Sequence, residues 1–198
     1  MTHPGDEKAP KGDPYPLNFC AVSGEELGSM GDPIVLAHEG REIKLCCKGC
    51  VNGFKKDADK YIAKIDEAIV EQQMPYYPMD TCLVMKDEKL GSEDMGDPVN
   101  FVYKNRLVRF CCKGCVRKFK KNPADYLAAV NEAVIAKQLE SYPLENCLVM
   151  EDSELGDKPV NVVFANRLVR FCCKGCIKKF KKNPVAYMAK LDAATTKD

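Results

Sequence analysis

Leu45-Cys46-Cys47-Lys48-Gly49-Cys50, Phe110-Cys111-Cys112-Lys113-Gly114-Cys115 and Phe171-Cys172-Cys173-Lys174-Gly175-Cys176 are three copies of one hexapeptide in a chain of 198 residues. A Phe follows the last Cys of each copy by four positions (Phe54, Phe119, Phe180), and a lone Cys precedes each copy (Cys20, Cys82, Cys147). The 12 cysteines therefore divide into three sets of four with none left over. A fixed internal period takes precedence over any estimate of domain number from length. The lone cysteines stand 62 and 65 residues apart, so the unit is a module of roughly 60 residues. A module that small buries little apolar surface and needs a staple, either disulfides or a metal.

Working outward from the hexapeptide, each lone Cys is entered by a Tyr-Pro pair: Tyr15-Pro16, Tyr77-Pro78 and Tyr142-Pro143. Proline ends any preceding helix and keeps the residue before it extended. After each lone Cys come Leu-Gly and then a Gly-Asp-Pro or Gly-Asp-Lys-Pro turn. Two short apolar runs follow in each copy and predict a hairpin. The strands are expected at Ile34–Ala37 and Ile43–Cys46, at Val99–Tyr103 and Leu107–Cys111, and at Val160–Phe164 and Leu168–Cys172. The loops between them are His38 to Arg41, Lys104 to Arg106 and Ala165 to Arg167. The cysteine hexapeptide then joins the second strand to a short basic helix. Asn122-Pro123 and Asn183-Pro184 start a second helix, Asn as cap and Pro in the first turn, where copy one has Asp57. Tyr126, Leu127, Val130, Val134 and Ile135 give that second helix its apolar stripe. It runs directly into the next Tyr-Pro, so the linkers are helical and neighbouring modules are expected to pack together. The fold class is α+β: residues 1–14 a disordered lead-in, then modules at 15–76, 77–141 and 142–198, each a hairpin, a cysteine knuckle and two helices.

Composition excludes several functions. The net charge of +1 gives no general attraction to nucleic acid or anionic lipid. No apolar run approaches the ~20 residues of a membrane span, and residues 1–16 contain no stretch resembling a secretion signal. The expected setting is cytoplasmic, or periplasmic if a leader preceded Met1. The basic helices lack base-reading residues, so no nucleic acid is expected. No triad, paired-carboxylate motif or phosphate loop is present, and no enzyme activity is expected.

Four soft ligands converging on one point are what a tetrahedral metal site requires. Two sulfurs at a strand end and helix start, with a third returned by a hairpin, supply that convergence. Cys50, Cys115 and Cys176 should lie in the first turn of a helix, where the dipole and neighbouring Lys favour thiolate. Structural disulfides are one rival, made awkward by the adjacent pairs such as Cys46-Cys47. Thiol redox chemistry at Cys-x-x-Cys is another. His38 reads as a solvated loop residue, with a distal ligand as the sharper alternative, and His3 lies in the lead-in.

The pattern Phe-Cys-x-x-x-Cys-x-x-x-Phe, followed by Asn-Pro-x-x-Tyr, resembles the YHS and TRASH families, small treble-clef-like metal-binding modules. The residues carrying it are Phe110, Cys111, Cys115, Phe119 and Asn122 to Tyr126, and again Phe171, Cys172, Cys176, Phe180 and Asn183 to Tyr187. The resemblance implies ligand sets Cys20, Cys46, Cys50; Cys82, Cys111, Cys115; and Cys147, Cys172, Cys176. It also implies Zn(II) or Cu(I) as cofactor, about one site per module, and a metal-trafficking protein as partner. The fourth ligand has two candidates. One is the middle cysteine (Cys47, Cys112, Cys173), where the family often has Ser. The other is Met85 and Met150, at a position where the family often has Cys and copy one has Ser23. Thiolate with thioether is the set that selects Cu(I). The expected function is holding, buffering or delivering soft metal. A thiol-disulfide redox protein and a structural zinc repeat that presents its helices to a protein partner are the alternatives.

Overall fold

A computed structural model describes residues 13–94 and 96–195. The lead-in before Asp13, with His3, and the extreme tail lie outside the described residues. Each module holds one antiparallel hairpin and two helices. Module one has β1 (Ile34–His38), β2 (Arg41–Leu45), α1 (Lys48–Lys56) and α2 (Ala58–Gln73), then a short 3-10 turn at Met74–Tyr76. Module two has β3 (Val99–Tyr103), β4 (Arg106–Phe110), α3 (Lys113–Lys121) and α4 (Pro123–Gln138). Module three has β5 (Val160–Phe164), β6 (Arg167–Phe171), α5 (Lys174–Lys182) and α6 (Pro184–Thr195). Among the described residues, no helix is long and apolar enough to cross a membrane.

The hairpin turns are tighter than the sequence suggested. Each is a two-residue connection: Glu39-Gly40, Lys104-Asn105 and Ala165-Asn166. Both turn residues have positive φ in every copy, with Lys104 at 49° and Asn105 at 71°. That conformation matches the twist of the flanking strands and is tolerated best by Gly and Asn. His38 is accordingly the last residue of β1, not a loop residue, and pairs with Arg41. Its ring meets Phe54 edge to face at 5.3 Å, taking the place that Tyr103 and Phe164 hold against Phe119 and Phe180.

The Phe behind each hexapeptide anchors its module's core. Phe119 is fully buried and touches Phe101, Tyr103, Phe110 and Tyr126 at centroid distances of 5.2 to 6.2 Å. Val130 and Val134 turn the buried face of α4 onto the same cluster, with Tyr126, Leu127 and Ile135 half-buried around them. Burial of this aliphatic and aromatic area is the main term stabilising each unit.

The cores are not separate. Val163 and Leu168 of module three belong to the apolar cluster of module two, and Val102 of module two packs on that of module one. A polar junction repeats between neighbours. Arg41 Nε donates to Asn105 Oδ1 at 2.8 Å, Asn105 Nδ2 donates to the Glu42 carbonyl at 2.8 Å, and Gln73 Nε2 donates to the Asn105 carbonyl at 3.0 Å. The Leu107 amide donates back to Gln73 Oε1 at 2.9 Å. One module later Arg106, Asn166, Gln138 and Leu168 form the same set at 2.8 to 3.0 Å. Arg41, Gln73, Asn105, Arg106 and Asn166 are the buried polar residues among those described. Buried polar groups are tolerated when their hydrogen bonds are made, and these bonds key the turns of the second and third hairpins into the module before each, with Arg41 Nη2 and Arg106 Nη2 left buried without a partner among the described residues.

Candidate metal centres

Three elements deliver three sulfurs in each module. The first is a knuckle turn. In module one it is closed by an isolated bridge between Phe19 and Glu26, with the Cys20 amide donating to the Glu25 carbonyl at 2.8 Å. Modules two and three close the same turn with Thr81 to Lys89 and Asn146 to Glu154. The second element is the end of the hairpin's second strand, which leaves Cys46, Cys111 or Cys172 directly beyond it. The third is the helix start. Cys47, Cys112 and Cys173 take the extended backbone of a helix cap, so Cys50, Cys115 and Cys176 fall in the first turn.

The sulfurs of Cys20, Cys46 and Cys50 lie within 4.8 Å of one another, and so do those of Cys82, Cys111, Cys115 and of Cys147, Cys172, Cys176. Individual separations are 3.4 Å for Cys46 to Cys50, 3.7 Å for Cys111 to Cys115 and 3.8 Å for Cys172 to Cys176. Three sulfurs bound at about 2.3 Å to one ion at tetrahedral angles stand about 3.8 Å apart. A disulfide would need about 2.05 Å. All twelve thiols are free. The donor chemistry and the spacing both fit a soft cation, with nine of the twelve cysteines in the three groups.

The middle cysteines stand beside the groups. Cys112 Sγ is 3.8 Å from Cys115 Sγ, and Cys173 Sγ is 3.8 Å from Cys176 Sγ. Each touches its group at the helix-start cysteine, on the outward side: Cys47 and Cys112 are half-buried and Cys173 is exposed. Met85 and Met150 are 39% and 41% exposed. At the same position in module one, Ser23 Oγ lies 3.3 Å from Cys46 Sγ.

The protonation pattern reverses the expectation for the helix-start cysteines. Burial, together with the neighbouring thiols, pushes Cys50 and Cys176 up to about 12 and moves Cys115 up as well. Desolvation outweighs the single helix turn. The lone cysteines go the other way. Burial raises Cys20, but hydrogen bonds from Ser23 and from the backbone at Cys46 and Val22 outweigh it and hold the thiol at about 7. Cys82 and Cys147 are also held below the ordinary value, and the Met85 amide points at Cys82 Sγ at 3.4 Å. Each group thus joins a lone cysteine held below the ordinary thiol value to a helix-start cysteine raised above it, a thiol that coordination would deprotonate.

Compared with models of known protein families, with curated proteins and with solved structures, the chain gives no match. The resemblance to YHS and TRASH modules therefore rests on the motif and on the three cysteine groups.

Proposed function

We propose that this protein is a soft-metal-binding protein that holds, buffers or delivers Zn(II) or Cu(I), one ion per module. The observation that carries the reading is the recurrence of one three-thiol group, buried but for the half-buried Cys172 and within 4.8 Å, in all three repeats. Cys20, Cys46 and Cys50 would hold the ion of module one; Cys82, Cys111 and Cys115 that of module two; Cys147, Cys172 and Cys176 that of module three. Thiolates select Zn(II) and Cu(I) over hard cations such as Mg(II) and Ca(II). The three-sulfur set leaves a fourth position for Cys47, Cys112 or Cys173, for Met85 or Met150, or for an exchanging ligand. The role is binding and transfer, not catalysis, and the metal ion with its trafficking protein is the partner.

The test is metal-dependent folding of the whole chain. Addition of Zn(II) or Cu(I) to metal-free, reduced protein should raise the melting temperature and saturate at three ions per chain, because an ion that binds only the folded state stabilises it. Turnover of a disulfide substrate by reduced protein, with no metal uptake, would replace this reading with the redox one.

A further inference from the structure

The three thiol groups face the surface differently. Over the group of module two lies an opening of about 360 Å³, lined by Met85, Cys112, Cys115, Arg117, Lys118 and Lys121. Its floor is soft: the Cys112 and Cys115 sulfurs are 3.8 Å apart and the Met85 thioether is exposed beside them. Its rim is cationic, with Arg117, Lys118 and Lys121 all exposed, and no carboxylate among the described residues lines it. None of the three cations is in an ion pair among the described residues. Module three carries Lys178, Lys179 and Lys182 at the equivalent positions, and the hollow beside its Met150 is lined by Glu151 and Asp152. There Lys179 Nζ stands 3.6 Å from Met150 Sδ, and Cys173 is exposed. Module one has the thiols without this surround. Asn52 and Gly53 replace the first two cations and Ser23 replaces the Met. Val22 Cγ1 lies 3.2 Å from where a Cβ on Gly53 would sit, so the knuckle closes onto the helix where Lys118 and Lys179 carry their side chains.

A cationic rim over a soft-donor floor suits one kind of visitor. Where thiols are in solution a soft ion is carried as a thiolate complex, and a thiol that also bears carboxylates makes that complex strongly anionic. The opening is the size of a small-molecule site, near the lower end of the ~300–1,000 Å³ usual for such sites. We propose that modules two and three exchange their metal with a small anionic thiol complex, Cys112 and Cys173 serving as entry ligands, while module one is a slow holding site. This rests on the reading that the thiol groups bind soft metal. Each step is a ligand exchange: a chain thiol forms a bond to the metal, one carrier thiolate leaves, and it takes up the proton that the chain thiol released. Cys115, Cys111 and Cys82 displace the remaining carrier ligands in the same way, and neither metal nor sulfur changes oxidation state.

The test follows Cu(I) uptake by metal-free full-length protein, anaerobically, in a stopped-flow instrument. The carriers are the Cu(I) complex of glutathione and that of glutathione with both carboxylates esterified. The expected record has a fast phase of two ions and a slow phase of one. The fast phase should be about tenfold quicker from the anionic carrier at low salt, since steering by local charge gives factors of ~10–10³, and the advantage should fade as salt is raised. Replacing Arg117, Lys118, Lys121, Lys178, Lys179 and Lys182 by Gln should abolish the tenfold advantage at unchanged final copper content. Cys112→Ser with Cys173→Ser should slow the fast phase. Equal rates from the two carriers in the unaltered protein, or a fast phase untouched by either set of substitutions, would overturn the proposal. No uptake from either carrier would instead overturn the metal-binding reading beneath it.

Discussion

Modules one and two hold three thiols in the same way and cover them differently. Both bring a knuckle cysteine, a strand-end cysteine and a helix-start cysteine within 4.8 Å. Around that shared core, module one has Ser23 against Cys46 and Val22 closed over Gly53, whereas module two has an open mouth with Met85 and three cations. A second contrast lies at the hairpin turns. Asn105 is fully buried and keyed into module one, while at the corresponding Gly40 an added Cβ would meet only the flexible end of Lys104, at 3.3 Å. Backbone geometry sets the thiol group, and the side chains around it set access. The two can therefore vary independently from one copy to the next.

The largest expected effect tests the shared part. Cys50→Ser and Cys115→Ser should each remove one ion per chain. Each should also cost the metal-loaded protein about 4 kcal/mol of unfolding free energy, the linkage expected for an ion supplied at a thousand times its dissociation constant. Metal analysis and chemical denaturation of the two variants check this, and retention of all three ions by either one would break the equivalence of the groups.

The junction comes next. Asn105→Ala strips partners from the buried Arg41 Nε and the Glu42 carbonyl. It should cost about 3 kcal/mol, since each stranded buried group costs ~1–3 kcal/mol. Gly40→Asn at the same turn position of module one should stay within about 0.5 kcal/mol, because the positive-φ turn accepts Asn and the nearby Lys104 can move. Equal losses in urea unfolding would show that the turn conformation, not the junction, is what counts.

A smaller difference is expected in the aromatic cores. Phe119 touches four rings and Phe54 two. Phe119→Leu should cost about 2 kcal/mol and Phe54→Leu about 1 kcal/mol, ring pairs adding roughly 0.5–1.5 kcal/mol each beyond area. Thermal melts of the two variants decide the order.

The smallest effect is one of pH. In the metal-free protein Cys20 is held at about 7, below its ordinary 9.0. The stability this contributes is therefore complete above about pH 9 and lost as pH falls toward 7. Cys50, raised by burial to about 12, works in the opposite sense: its contribution is complete below pH 9 and lost as pH rises toward 12. Ser23→Ala should move the Cys20 midpoint up and flatten the stability profile between pH 7 and 9. Met85→Ala should leave Cys82 where it is, because after burial its largest influences are backbone amides at Met85, Cys111 and Val84. Thiolate absorbance titrations of the two variants measure both.

The three modules, their hairpins and the paired helices were legible because the repeat states the same apolar and turn signals three times. The cysteine sets were legible for the same reason, since one lone Cys and one hexapeptide recur in each unit. The junction was not. The sequence alone places Asn105 and Arg106 only in a hairpin loop and assigns Gln73 no role. Their burial depends on a neighbouring module that no local pattern describes. The signal that could have found them is again repetition: Arg41, Arg106 and Arg167 recur, as do Asn105 with Asn166 and Gln73 with Gln138. A polar residue with no local task that returns in every copy is a candidate for contact between copies. The thiol protonation order was missed because dipole and charge are visible in sequence, whereas the desolvation that outweighs them at Cys50, Cys115 and Cys176 depends on packing.

Native mass spectrometry of the full chain, purified without oxygen and without added metal or chelator, tests the central claim most directly. Three soft-metal ions per chain, falling to two when any one of Cys50, Cys115 or Cys176 is replaced by Ser, is the expected result. A metal-free mass lowered by the hydrogens lost to disulfides would contradict it.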